Sequence, residues 1–358
     1  MMFGGAVSSS LWGWGENGYN EIGDGTTTDR SSPVQVGSDT TWAFVAGGGS
    51  SSTNAIKTDG TLWGWGQNSV SEIGDGTTTQ RSSPVQVGSD TTWASVSNGS
   101  NHGHGIKTDG TLWGWGFNGY GRLGDGTTTD RASPVQIGSD TTWAFVADGT
   151  WHGHAIKTDG TLWSWGRNTN NQLGDGTTTQ RLSPVQIGSD TTWASVSAHN
   201  KTASAIKTDG TLWGWGGNSA GMIGDGTTTQ RSSPVQVGSD TTWASVSQGG
   251  STASAIKTDG TLWGWGGNGA NSIGDGTTTT RLSPVQVGSG TDWVYVAQNG
   301  GVGHGIKTDG TLWGWGSNES GKLGDGTTTQ RASPVQVGSA TDWASVSHSN
   351  NTSHGIKG

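Results

Sequence analysis

The motif LWxWG begins at Leu11, Leu62, Leu112, Leu162, Leu212, Leu262 and Leu312, with one spacing of 51 residues and five of 50. The additional residue falls in the Ser-rich segment 47–53. Seven near-copies of one unit therefore fill almost all of the 358 residues. A period of this length marks an array in which each unit buries its apolar face against the next. Length alone would suggest two or three domains. The repeat instead makes residues 1–358 a single domain.

Each unit reads as four short strands. In one copy, Trp93–Ser97 (WASVS) is predicted as strand A, His102–Lys107 (HGHGIK) as B, Thr111–Gly116 (TLWGWG) as C and Val135–Gly138 (VQIG) as D. Thr108-Asp109-Gly110 between B and C is a tight hairpin signal. The long C–D connection carries LGDGTTT and a Pro, which suits the start of an edge strand. Helical periodicity is absent. Four strands in about 50 residues predict an all-β, seven-bladed β-propeller built of four-stranded antiparallel blades. The chain starts just before a C strand (Leu11–Gly15) and stops just after a B strand (Gly355–Lys357). The N- and C-terminal strands are therefore predicted to pair in one blade and close the ring. A solenoid would need polar capping repeats, and none is visible.

Composition then removes several function classes. The 22 Trp supply much of the core in a chain with 67 Gly. With no Cys there is no disulfide, no thiolate metal site and no cysteine nucleophile, and the redox compartment stays undetermined. No apolar stretch approaches the ~18 residues of a membrane span, so no membrane insertion is expected. Met1–Ser10 lacks a basic start and a long apolar run and does not read as a signal peptide. A net charge of -9 argues against a nucleic-acid partner, which needs a basic stripe.

The units LWGWGxNxxxxLGDGTTTxRxSPVQVG and WASVSxGxxHGHGIKTDGT resemble the RCC1 (regulator of chromosome condensation) repeat, particularly its bacterial form. The resemblance runs from Leu11 to Lys357, with W-G-x-N, L-G-D-G, P-V-x-V and I-K-T-D-G recurring in order. Kelch repeats have a similar period, but their Gly-Gly doublet does not recur here. The resemblance implies a seven-bladed propeller. It also implies a family of guanine-nucleotide exchange factors, chromatin binders and bacterial members that inhibit enzymes by docking one face.

The columns common to all copies read as architecture. Strand C presents two Trp on one face, predicted to pack between blades, and the intervening Gly, as in Trp63-Gly64-Trp65, to let the neighbouring blade approach. Asp24, Asp75, Asp125, Asp175, Asp225, Asp275 and Asp325 each precede an Arg by six residues (Arg30, Arg81, Arg131, Arg181, Arg231, Arg281, Arg331), a spacing read as loop-ordering hydrogen bonds in which the Arg pairs with the Asp or with carbonyls. One carboxylate per unit is too few for a calcium cage. His102/His104 and His152/His154 project pairwise from strand B. They read as structural hydrogen-bonding groups, with a site for Zn, Cu or Ni as the alternative. GxSxG, HExxH and P-loop motifs are absent, so no enzyme activity, cofactor or metal is expected.

Variation concentrates in two segments, one after strand A (NGSNH, DGTWH, AHNKT) and one after strand C (Glu16–Glu21, Phe117–Arg122, Arg167–Gln172 and their counterparts). In an antiparallel meander the A–B and C–D connections emerge on the same face, so the diversity faces one way. Neutral drift would touch both faces, and the asymmetry favours recognition. Five acidic residues (Glu16, Glu21, Glu72, Asp148, Glu319) oppose four basic ones (Arg122, Arg167, Lys201, Lys322), leaving that face nearly neutral. Phe117, Tyr120, Arg122, Trp151, His152 and Arg167 concentrate interface-forming residue types in two adjacent blades and are the expected partner-binding residues. The expected function is a non-catalytic, monomeric scaffold that binds a protein partner. A glycan-binding lectin and a purely structural or designed module are the alternatives.

Overall fold

Strand B is buried from end to end while strand D alternates little and stays at the surface, and this contrast sets the order of the sheet. In the second blade A is Trp93–Asn98, B is His102–Lys107, C is Leu112–Gly116 and D is Arg131–Gln136. Strand B lies between A and C within the blade and between neighbouring blades. Both its faces are therefore covered, as its unbroken run of buried residues records. Most side chains there are small or hydrogen-bonding, with Ile106 the bulky apolar member. A Cβ on Gly105 would sit 2.6 Å from the Trp93 ring.

The computed structural model describes residues 8–49, 51–349 and 351–358. They form seven four-stranded antiparallel sheets, each running A-B-C-D outward. We number the blades by their A strands, from Trp42–Gly47 in the first to Trp343–His348 in the seventh. The A strands line an axial channel of about 530 Å³, where Phe44 and Phe145 stand among small residues. The seventh blade joins both ends of the chain. Its B strand, Thr352–Lys357, pairs over six residues with Ser10–Gly15, which serves as strand C, and Arg30–Gln35 is strand D. Ring closure is thus as predicted. The signal-peptide reading of Met1–Ser10 falls mostly outside the described residues. Among the described residues no helix is long and apolar enough to cross a membrane.

Two sequence expectations need correction. Strand D begins at Arg131, not Val135, because it pairs at both ends of a bulge: Arg131 opposes Gly116 and Val135 opposes Gly114. Pro134 sits within that bulge, where no ladder N–H is required of it. The second concerns the glycine between the two Trp. A Cβ on Gly64 would meet Asn54 and Ile73 of its own blade, each at 2.7 Å. The close approach between blades occurs at the LGDG glycine instead. Gly124, at φ +76°, leaves room for Trp165 of the next blade, which would lie 2.9 Å from its Cβ. Trp165 is fully buried and donates its indole N–H to the Arg122 carbonyl at 2.9 Å. The equivalent bond recurs from Trp14, Trp65, Trp115, Trp215, Trp265 and Trp315, so the second Trp of each C strand clamps adjacent blades.

The Asp–Arg pairs form in all seven copies, at 2.6–2.8 Å. Asp125 accepts from both Nε and Nη2 of Arg131 through one oxygen and from the Thr127 hydroxyl and N–H through the other. Burial alone would raise its pKa. The bonds from Thr127 and Arg131 outweigh that and hold it below the usual carboxylate range. Asn118 completes the loop, donating to Asp125 and to the Thr127 and Thr129 carbonyls while accepting from the Leu123 N–H.

The candidate recognition face and its buried support

The variable loops do share one face. The Phe117 N–H donates to the Asn101 carbonyl at 2.8 Å, and the Arg167 N–H to the Trp151 carbonyl at 3.0 Å, so each C–D loop leans on the A–B loop of its own blade. On the opposite face the constant turns also hold each other. The Trp143 N–H donates to the Gly110 carbonyl across a blade boundary. A Cβ on Gly110, at φ +78°, would overlap the Thr141 carbonyl. Lys107 reaches Asp90 at 2.7 Å while lying 3.7 Å from the centre of the Trp113 ring. The constancy of that face is therefore explained by packing, and asymmetry of variation no longer argues for recognition by itself.

The six expected partner-binding residues are brought together, but on two levels. Tyr120 is exposed, and Phe117, Trp151 and Arg167 are half-buried at the surface. The Arg167 guanidinium lies 4.5 Å from the Trp151 ring centre and 5.1 Å from that of Tyr120, bridging the third and second blades. Tyr120 sits in a short 3₁₀ turn, Gly119–Gly121, with a left-handed φ of 67°. A bulky residue in that region is strained. Its counterparts Tyr19, Val70, Asn170, Ala220, Ala270 and Ser320 do not share it.

Arg122 and His152 lie beneath, both buried, and cannot touch a partner directly. Arg122 donates to the carbonyls of Gly119 and Ser100 at 3.0 and 2.8 Å, and its guanidinium sits 4.6 Å from the Phe117 ring centre. Burial lowers its pKa to about 10, which leaves it charged at neutral pH. It fixes the loop that presents Phe117 and Tyr120. Burial also holds His152 well below the usual imidazole range.

Burial changes the charge count of the face as well. Glu21, Glu72, Asp148, Arg122 and Lys322 are all interior. Glu16 and Glu319 against Arg167 and Lys201 remain at least partly exposed, so the face is still nearly neutral.

Sequence reasoning missed a column of buried partners between blades. The last residue of the predicted variable segment's start, exemplified by Asp148, belongs to strand A and faces strand B of the preceding blade. His104 meets Asp148 at 2.8 Å, Ser204 donates to Gln248 at 2.8 Å and Ser254 to Gln298 at 3.0 Å. His304 stacks on His348 with ring centres 4.9 Å apart. Where the partner is Ala198, His154 instead meets the hydroxyl of Ser164, at 2.6 Å, the residue that stands in place of the usual strand-C glycine. Part of the signal was readable in the sequence as a correlation between consecutive copies: both Ser residues are followed by Gln, whereas the four His are followed by Asp148, Ala198, His348 and, around the ring, Gly47.

Two strand-B histidines, His304 of the sixth blade and His354 of the seventh, give a pH prediction. Burial lowers the pKa of His304 and His354 to about 4 from 6.5. Between those values the unfolded chain binds protons that the folded chain refuses. The stability they contribute is therefore complete above pH 6.5 and is lost as pH falls toward 4. The Tm should fall across this window, and the double variant His304→Ser/His354→Ser, using the residues at positions 204 and 254, should show a shallower fall. An unchanged slope in thermal melts would contradict this assignment.

The sequence profile of the regulator of chromosome condensation (RCC1) repeat matches residues 59–104, 109–156, 159–206, 209–256 and 309–353. Among solved structures, human WBSCR16 is similar over 98% of this chain and 99% of its own, at 18% identity and a TM-score of 0.88. Yeast RCC1 (Prp20), solved bound to Kap60, covers 98% of this chain and 89% of its own, at 17% identity and a TM-score of 0.88. Prp20p from Saccharomyces cerevisiae, described with its binding properties to Gsp1p and histones, covers 99% and 93% at 17% identity and a TM-score of 0.87. At such identities these likenesses establish the fold. With repeat-profile matches over more than half of its length and the seven closed blades described above, the chain belongs to the RCC1-repeat family.

Proposed function

We propose that this protein is a non-catalytic scaffold that binds a protein partner through its A–B and C–D loops, in the sector where the second and third blades meet. The observation that carries the reading is Arg167 held between Tyr120 and Trp151 at the surface, with Tyr120 in a strained conformation its counterparts lack. Trp, Tyr and Arg are the side chains that most often dominate protein interfaces. Here they are pre-ordered, so little conformational entropy is lost on docking. The yeast relative Prp20, solved with Kap60 and described with Gsp1p and histones, supports protein recognition by this fold. A histone-like basic partner is not specifically favoured, because the exposed charges of the loop face nearly cancel.

A paired capture experiment tests the reading. One bait is the chain itself. The other carries Tyr120→Asn, Trp151→Ser and Arg167→Gly, residues that sibling repeats hold at positions 170, 251 and 217. Arg122 and His152 stay, so the support is intact. A protein from the source organism's extract should be retained by the first bait and reduced at least ~10-fold on the second, as the loss of one or two interface anchors predicts. Equal retention by both baits would move the site elsewhere. Retention abolished by free oligosaccharide would favour the lectin alternative, to which the half-buried Trp151 indole and exposed Tyr120 phenol are also suited.

A further inference from the structure

We propose that His102, His104 and Asp148 form a binding site for one zinc-class divalent metal ion between the second and third blades. The three side chains are fully buried, and one ligand atom from each lies within 4.8 Å of the others. His102 Nε2 is 3.7 Å from Asp148 Oδ1, and His104 Nδ1 is 2.8 Å from the same oxygen.

Tautomers favour the ion. His102 Nδ1 lies 3.2 Å from the Ser100 carbonyl and His104 Nε2 lies 3.1 Å from the Leu123 carbonyl. A carbonyl only accepts, so each of these nitrogens carries the proton. In a neutral imidazole the remaining nitrogen is then a lone pair. Both lone pairs are aimed at a carboxylate, which is also an acceptor. Three acceptors facing one another in a site without solvent require a positive charge among them. A second proton on His104 would satisfy only its own contact with Asp148. It would leave His102 Nε2 without a hydrogen-bond partner, and among the described residues it has none. A metal ion takes all three groups at once.

The donor set is that of zinc sites with three protein ligands and one further position, and imidazole with carboxylate suits Zn²⁺ and its neighbours. Ligand atoms around a tetrahedral zinc at ~2.0–2.1 Å lie roughly 3.3 Å apart. Two of the three separations, 2.8 and 3.7 Å, straddle that value, and the third, between the two imidazole nitrogens, is no more than 4.8 Å. The outer layer is already built. Metal-bound histidines usually donate their other N–H to a carbonyl or carboxylate, as both do here. Arg122 is the nearby cation, and it is turned away onto carbonyls, including the Ser100 oxygen that also receives His102. The site is unique in the ring: no other repeat combines His at both strand-B positions with an acidic residue on the following A strand.

The test is metal titration of the whole chain after chelator treatment. Co²⁺ is added with its visible ligand-field absorption followed, Zn²⁺ is used to displace it, and bound metal is counted by elemental analysis. We expect one Co²⁺ per chain, displaced by Zn²⁺, and a higher Tm with Zn²⁺ present. Asp148→Asn and His102→Thr should each weaken binding by more than the ~10–100-fold typical of outer-layer changes. Sibling repeats hold Asn98 and Thr202 at these positions, so the fold accommodates both. His354→Ser, which removes a buried histidine elsewhere, should leave binding unchanged. Failure of the unmodified chain to take up stoichiometric Co²⁺ or Zn²⁺ overturns the proposal, whatever the variants do. Undiminished binding by folded Asp148→Asn overturns it equally.

Discussion

Ending the chain after Asn351 should abolish cooperative folding rather than trim one edge. The lost strand, Thr352–Lys357, is the middle of the seventh blade, paired with Trp343–His348 on one side and Ser10–Gly15 on the other. Without it, the N-terminal C–D hairpin has no sheet to join. The first and sixth blades then each lose the neighbour that covers their packed faces. His354 lies 5.4 Å, ring centre to ring centre, from Trp65 of the first blade, and Ile356 belongs to the same buried cluster as Trp65 and Trp42. In an array stabilised by nearest-neighbour interfaces, opening the ring removes two interfaces and exposes two new ends. The expected result is loss of the single sharp melt that the full chain should show by Trp fluorescence and circular dichroism. A permuted chain with residues 1 and 358 joined and new ends in a C–D loop should keep it. A truncated protein that melts cooperatively within a few degrees of the full chain would contradict ring closure as the source of stability.

Trp165→Ala should be among the most damaging single substitutions. The indole is fully buried, meets Trp143 edge-on with ring centres 6.4 Å apart and His104 at 5.3 Å, and donates to Arg122 across the blade boundary. Truncating a buried Trp costs about 3–5 kcal/mol through lost transfer energy and the cavity left behind. The carbonyl of Arg122 would also lose its partner, adding to the penalty. Denaturant unfolding should show a lower midpoint. The consequence should reach function, because Arg122 fixes the loop that carries Phe117 and Tyr120. Trp163→Ala, whose ring is only half-buried, should cost less. A loss below about 1 kcal/mol at Trp165 would refute the clamp role.

The blade count, the ring closure and the Asp–Arg loop locks were all legible in the sequence, since each depends on spacing. A 50-residue period fixes the unit, and Asp and Arg six residues apart can close only a local loop. What was not legible depends on the neighbouring blade. Asp148 reads as a loop residue until the strand-B histidines of the preceding blade are placed against it. Arg122 and His152 belong to variable, polar segments and read as surface, yet the next blade and the A–B loop cover them. The clamp glycine was placed at Gly64 rather than at the LGDG position, because a period-two pattern tells which face a residue takes but not which blade faces it. The constant face, finally, read as evidence against neutral drift and so for recognition on the variable one. The constant turns are held by bonds such as Trp143 to Gly110, which packing alone maintains.

Amide hydrogen exchange on the captured complex, compared with the free chain, tests the central claim most directly. We expect added protection at segments 98–101, 117–122, 149–151 and 167–171, together on one face, and none at the opposite turns 108–111 and 138–142. Protection confined to those opposite turns, or spread evenly around the ring, would contradict a recognition face centred on Tyr120, Trp151 and Arg167.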